Sequence, residues 1–325
     1  MHKVGLIVNP VSGTDIRRAT STAGFIDNMQ KARTVKSILR GIEAVGVDEV
    51  LIMPDFYGIA AHALWDLPQL SLKWSFIDMK PRGDYTDTVN AVKEMVKERV
   101  GSIVILGGDG TVRVASKVSG NTPLLPISTG TNNVIPYFID GTLAGIAAAA
   151  VANDLVNDSV TYRLRRILLI INGEVIDQAL VDLGATLYPF RGARAVIDPN
   201  MITETFISLV KPLSIGLASI GSVLRPNGLP SDKILHVIIG SRFSIKAVLM
   251  PGYVTNMGID RVEEISLGIK VPISRAYTIE LDGEREVEIF NGDYVEVMAD
   301  EKGPVIIDVN KAMQELFLRQ CSNCP

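Results

Sequence analysis

The sequence predicts an α/β protein in two parts, a doubly wound parallel sheet over about the first 140 residues and a mostly antiparallel, β-rich part after it. Three observations predict it. Short apolar runs alternate with segments of helical spacing as far as residue 138. After a helical stretch at about 141–154 the pattern changes to strand pairs. The dipeptides Asn172–Gly173, Asp282–Gly283 and Asn291–Gly292 punctuate those pairs as hairpin turns do.

Each element follows in order. KVGLIVNP (3–10), DEVLIMP (48–54), KWSFIDM (73–79), GSIVIL (101–106) and TPLLPIS (122–128) are unbroken apolar runs. Runs of that length suit strands covered on both faces. In ARTVKSILRGIEAVG the residues Ala32, Val35, Ile38, Leu39, Ile42 and Val45 recur at helical spacing, and Gly46 ends the run. DTVNAVKEMVKERV (87–100) behaves likewise. Residues 1–140 therefore read as a Rossmann-like domain that binds nucleotide phosphates, and 141–300 as a β-rich domain. The β-rich reading rests on RILLIINGEVIDQALVDLGA (166–185), KILHVIIGS (233–241) and YTIELDGEREVEIFNGDYVEVM (277–298). A last segment, 301–325, holds the strand PVIIDV and the helix NKAMQELFLR and is expected to return to the first domain.

The 325 residues are 47% hydrophobic, enough for a large core. Net charge is −4 and no Lys/Arg-rich run occurs, which argues against a nucleic-acid partner and leaves small molecules as the expected ones. GTLAGIAAAAVA (141–152) is too short to cross a bilayer, and Lys211 and Pro212 interrupt the apolar run 205–224. A span needs roughly 20 apolar residues. MHKVGLIVNP enters a strand at once, without a signal-peptide pattern, so the expected location is the cytoplasm. Cys321 and Cys324 form a CxxC, but zinc needs four ligands and His2, His62 and His236 are scattered. The pair reads as a loose tail or a local disulfide, and no metal ligands are assigned.

The stretch ILGGDGTVRVASK (105–117) runs from an apolar strand through three glycines into a helix. No Gly-Lys-Ser/Thr follows, so it is not a P-loop. Nor is it the dinucleotide fingerprint, because Arg113 stands where the third glycine belongs and the strand is a late one. An ordinary glycine turn is one reading. In the other, Thr111 caps the helix and the amides of Gly110 and Thr111 face an anion. Asp109 then lies beside a transferable phosphate, where it takes a proton from an attacking hydroxyl or holds Mg²⁺.

GGDGT behind an apolar strand resembles the ATP-NAD kinase superfamily, which includes the diacylglycerol and sphingosine lipid kinases. The resemblance implies that Gly107, Gly108, Gly110 and Thr111 bind ATP phosphates and that Asp109 is the base. VNPVSGT (8–14) resembles the superfamily's NPxSG loop, with Asn9, Ser12 and Gly13 at the nucleotide. PISTGTNN (126–133) resembles its second phosphate loop, with Thr129, Gly130, Thr131, Asn132 and Asn133. LDGERE resembles the β-domain segment with a DG turn, making Asp282 and Glu284 secondary catalytic or acceptor-binding candidates. ALVDLGA (179–185), GARAVIDP (192–199) and KPLSIGLASIGSVLRP (211–226) resemble the ATP-NAD/AcoX kinase branch in order.

The resemblance implies a fold like that of NAD kinase and diacylglycerol kinase, with ATP and Mg²⁺ as cofactors. It also implies NAD as the leading acceptor and a homo-oligomer. A lipid or polyol kinase, or a nucleotide-binding regulator without turnover, is the alternative. Two departures bear on NAD. NAD kinases grip the ribose with an Asn-Asp or Asn-Glu pair, whereas ALVD has Val181 in place of the Asn and keeps Asp182. TGTNN is closer to the lipid kinases' GTxN than to GTLGF. ATP use is thus better supported than NAD use. Arg191 and Arg194 read either as partners for an acceptor's phosphates or as surface residues, and Arg165 and Arg166 as structural.

Overall fold

A computed structural model describes residues 2–13, 26–130, 133–188 and 198–321. Thr131, Asn132, Arg191, Arg194 and Cys324 lie outside the described residues. The first half alternates as its sequence predicts: β1 (Lys3–Val8), α1 (Asn28–Val45), β2 (Glu49–Ile52), α2 (Ile59–Trp65), β3 (Trp74–Phe76), α3 (Tyr85–Lys97), β4 (Ser102–Gly107), α4 (Asp109–Ser116), β5 (Leu124–Ser128) and α5 (Gly141–Ala152). There follow β6 (Thr161–Arg163), β7 (Arg166–Ile171), β8 (Glu174–Ala179), β9 (Asp182–Thr186), β10 (Ile202–Ile207), α6 (Ala218–Leu224), β11 (Lys233–Met250) and β12 (Tyr253–Ser266). The chain continues through β13 (Val271–Pro272), β14 (Thr278–Leu281), β15 (Arg285–Glu288), β16 (Val295–Asp300), β17 (Val305–Ile307) and α7 (Val309–Cys321).

The first sheet has the order β3-β2-β1-β4-β5-β17-β6, parallel except for β6. Alternate residues of its strands point to opposite faces, and both faces are covered. Leu6, Ile52 and Val104 pack under α1, α2, α5 and α7, while Ile7, Leu51 and Ile105 pack under α3 and α4. Local signals set the helix ends. Asp27 and Gln30 form a capping box at the start of α1, and Asp84 caps α3 by accepting from the Thr86 N–H. Gly46, at φ 84°, closes α1.

The change of architecture falls later than residue 140. The alanine-rich α5 lies in close contact with α1 and β4, and β6 is still a strand of the first sheet. The sheets change only after Arg163. At the other end, β17 joins the first sheet beside β5, and α7 packs against α5.

The β-rich part consists of a six-stranded sheet, β12-β11-β10-β9-β14-β15, and a four-stranded one, β13-β16-β7-β8. Ile167, Leu169, Leu183, Phe206, Ile279 and Val297 fill the core between them. Asn172–Gly173 does turn a hairpin, β7–β8, with both residues at positive φ (52° and 87°). Asn291–Gly292 does not. It is a corner, because β15 belongs to the six-stranded sheet and β16 to the four-stranded one. Among the described residues, no helix is long and apolar enough to cross a membrane. Cys321 is exposed at the end of α7.

One feature of the topology positions the site. β1 has β2 on one side and β4 on the other, so the chain leaves β1 in one direction and returns in the other. Such a switch point opens a crevice beyond the carboxyl ends of the strands. Val8 pairs with Leu106, and the Asn9 N–H donates to the Leu106 carbonyl at 3.0 Å, so the loops after β1 and β4 start side by side.

Candidate active site

Three loops meet at this crevice. The Asn9 amide donates to the Thr111 hydroxyl at 2.8 Å, joining NPVSG to GGDGT. Asn9 also accepts from the Val11 N–H, and the Ser12 hydroxyl donates to the Asn9 carbonyl. The buried Lys31 ammonium donates to the carbonyls of Asn9 and Pro10 at 3.0 and 2.6 Å. Gly13 backs onto the Thr129 carbonyl of the third loop. There Thr129 is buried, and the Ser128 hydroxyl gathers Gly130 and Asn133.

The cap differs from expectation. Gly108, with extended backbone, is the N-cap of α4, and Thr111 lies within the first turn. Its N–H is already bonded to the Gly108 carbonyl at 3.1 Å, and its hydroxyl accepts from Asn9. Thr111 therefore braces two loops and does not cap the helix.

Asp109 also differs from expectation. Its two carboxylate oxygens accept from the N–H groups of Val134 and Ile135, each at 2.8 Å. The side chain is buried and ties GGDGT to the chain beyond β5. Burial pushes its pKa up to about 7, and the charges of Asp282 and Glu284 add to the rise. Lys211 reaches the same spot from the β-rich part, its ammonium donating to the Val134 carbonyl at 2.7 Å.

The facing turn belongs to the β14–β15 hairpin. Asp282 (φ 52°) and Gly283 (φ 64°), both at positive φ, begin a three-residue turn that ends with Glu284, between the paired Leu281 and Arg285. The Asp282 side chain is fully buried and accepts from the N–H groups of Leu180 and Val181 at 3.0 and 2.8 Å. Arg113 of α4 approaches it at 3.7 Å, and burial raises its pKa. Asp282 thus locks the hairpin to the rest of the β-rich part and to α4. Glu284 does something else, for its carboxylate lies directly over Gly110. A Cβ at Gly110 would fall 1.6 Å from Glu284 Oε2, so the approach requires glycine there.

Between these elements is a cavity of about 340 Å³. Asn9, the buried Gly110 and Thr111, and Glu284 line it together with the exposed Phe56 and Tyr85. Its side wall is a charged cluster that the sequence reading missed. Asp177 of β8 accepts from Lys117 at 2.6 Å and is approached by Arg113 at 3.3 Å and Arg285 at 3.7 Å. Burial would raise the Asp177 pKa, but Lys117, the Gln178 N–H and Arg113 outweigh it and hold it low. The spacing of Arg113 and Lys117, one helical turn apart just after the glycine loop, was the available signal. Lys211 gave none beyond interrupting an apolar run.

Of the expected site residues, Asn9, Gly110, Thr111 and Glu284 line this cavity. Asp109 and Asp282 support it from behind. Asp182 does not reach it. Its carboxylate accepts from the Ala218 N–H at 3.0 Å, at the start of α6, and both it and Val181 are buried. Among the described residues, no three metal-ligating side chains gather. Glu284 and Asp177 are oxygen donors at the cavity, which suits a hard cation carried in by a triphosphate.

Comparison with known proteins agrees with this division of the chain. Residues 4–159 match the family model of the ATP-NAD kinase N-terminal domain. Residues 165–302 match that of the acetoin catabolism protein X C-terminal domain. Acetoin catabolism protein X of Cupriavidus necator is 29% identical over 327 residues, covering 96% of this chain and 91% of that protein. Among solved structures, a putative diacylglycerol kinase from Bacillus anthracis str. Sterne has a TM-score of 0.46 at 13% identity, covering 94% of this chain and 97% of that one. A second diacylglycerol kinase structure from the same strain has a TM-score of 0.41 at 12% identity, covering 94% and 96%. An ATP-NAD-kinase-type first part followed by an acetoin catabolism protein X-type C-terminal part supports a likeness to the ATP-NAD/AcoX kinase branch.

Proposed function

We propose that the protein is an ATP-dependent kinase that phosphorylates a hydroxyl group, acting in the crevice between GGDGT and the β14–β15 hairpin. The observation that carries this reading is the Glu284 carboxylate lying over Gly110 in a cavity lined by the loops after β1 and β4. Asn9, Gly110 and Thr111 hold the phosphates, and Glu284 accepts the proton of the attacking hydroxyl. As the new O–P bond forms, the bond from the γ-phosphorus to the bridging oxygen breaks and ADP leaves. A Mg²⁺ ion carried in by the triphosphate would supply neutralisation of charge, and Glu284 would be the carboxylate to hold it. Asp109 holds the loop in place.

NAD, phosphorylated on its ribose 2′-hydroxyl to NADP, is the acceptor to test first, because the first half matches the ATP-NAD kinase model. One observation favours another hydroxyl acceptor, a lipid or polyol: Val181 and Asp182 are buried away from the cavity. The test measures ADP and NADP formation by purified protein with ATP and Mg²⁺, in the presence of NAD, glycerol or diacylglycerol micelles. NADP formation supports the NAD reading. ADP released only with another acceptor names that acceptor class, and no release with any of them overturns the kinase reading.

A further inference from the structure

The cavity's lining carries two exposed aromatic rings for which the fold has no evident use. Phe56, just after β2, is 66% exposed, and Tyr85, the first residue of α3, is 67% exposed. Both line the same cavity as Gly110 and Thr111. Large rings so exposed gain little from folding. Their backbones are nevertheless held firmly. Asp55 accepts from the N–H groups of Tyr57 and Ile59 at 2.9 and 3.0 Å. The buried Asp87 accepts from Arg82 and Gly83 at 2.8 and 2.7 Å, fixing the loop before α3. Gly83 (φ 81°) lies against the Phe56 ring, where a Cβ would come within 3.2 Å of Cδ2. Two exposed rings thus stand on firmly held backbone in the lining of the cavity that Gly110 and Thr111 also line.

We propose that Phe56 and Tyr85 are the platform on which the base of the nucleoside triphosphate stacks. The proposal rests on the reading that the triphosphate binds at GGDGT. With phosphates at Gly110 and Thr111, the base extends outward along the cavity to the two rings. A π-face accepts any base, so the platform contributes affinity in common to all purine triphosphates.

The test is equilibrium binding of Mg²⁺–ATP and of Mg²⁺–tripolyphosphate, which lacks a base, to the whole protein. Phe56→Ala and Tyr85→Ala are each expected to raise the ATP Kd about 5- to 10-fold, within the range of base–aromatic stacking. Tripolyphosphate binding stays within twofold of wild type, and Tyr85→Phe binds ATP as wild type does. ATP binding unchanged in the double alanine variant overturns the platform. So does an equal loss for ATP and tripolyphosphate, which would mean a distorted cavity. If the wild type binds neither ligand, the triphosphate reading itself fails and the platform with it. If it binds both and only the variants behave unexpectedly, the platform alone fails.

Discussion

Two turns meet at Gly110, and each brings carboxyl groups to the same spot, yet they do opposite things with them. The turn after β4 buries Asp109 and engages both of its oxygens with backbone N–H groups. The β14–β15 turn buries Asp282 in the same way but leaves Glu284 at the cavity. A carboxylate that accepts two N–H groups in a buried pocket acts as a bracket, whereas Glu284 lies over a glycine in the lining of a cavity. The aspartate inside the motif holds the loop, and the proposed proton acceptor is the glutamate across the gap.

Glu284→Gln breaks this comparison most directly. It keeps the shape of the site and removes the proton acceptor, so turnover falls by about 10²- to 10⁴-fold. The ATP Kd stays within a few-fold of wild type. Full turnover in this variant would return the base assignment to Asp109. Gly110→Ala tests the same geometry from the other side. The new Cβ occupies the position 1.6 Å from Glu284 Oε2 and swings that side chain away. A displacement of that size costs about 10²-fold in rate. The melting temperature changes little, because the clash is with the mobile end of a side chain.

Asp109 is expected to show itself in stability. At pH 6, Asp109→Ala leaves the buried N–H groups of Val134 and Ile135 unpaired, a loss of about 2 kcal/mol measured by urea unfolding. Its pH signature is separate. The folded-state pKa, near 7, lies above the ordinary 3.8, so the group's contribution is full below about pH 4 and is lost as pH rises through 7. Asp109→Asn flattens that slope. An unaltered slope would show that Asp109 is not the group responsible.

Much of this arrangement was legible in the sequence, and the limits have physical causes. Strand–helix alternation and apolar strands gave the first sheet, because burial on both faces leaves a compositional trace. The boundary near residue 140 came too early, since an alanine-rich helix does not reveal which sheet it packs on. Glycine spacing located the loops after β1, β4 and β5, for the backbone needs glycine wherever another group approaches closely. Glu284 was legible only as a secondary candidate beside Asp109, because their placement depends on which carboxylate finds backbone N–H groups. Those N–H groups belong to Val134 and Ile135, 25 and 26 residues away from Asp109. Asp177 with its cations was hidden for the same reason, being 64 residues from Arg113.

Lys211 supplies the finest test, because it touches neither turn directly. Its ammonium donates to the Val134 carbonyl, and the N–H of the same residue donates to Asp109. Burial lowers the Lys211 pKa while the Asp109 charge raises it, so the two groups feel each other across the peptide. Lys211→Met keeps the length and the apolar stem and removes the charge and the hydrogen bond. The loss of stability is about 1 kcal/mol, small beside that of Asp109→Ala. Without the cation, the ionised form of Asp109 is less favoured, so the midpoint of its pH-dependent stability moves upward. That shift must vanish when Asp109→Asn is already present. If Lys211→Met moves the midpoint equally in both backgrounds, the lysine acts on another group, and the bracket around Asp109 is confined to the α/β half.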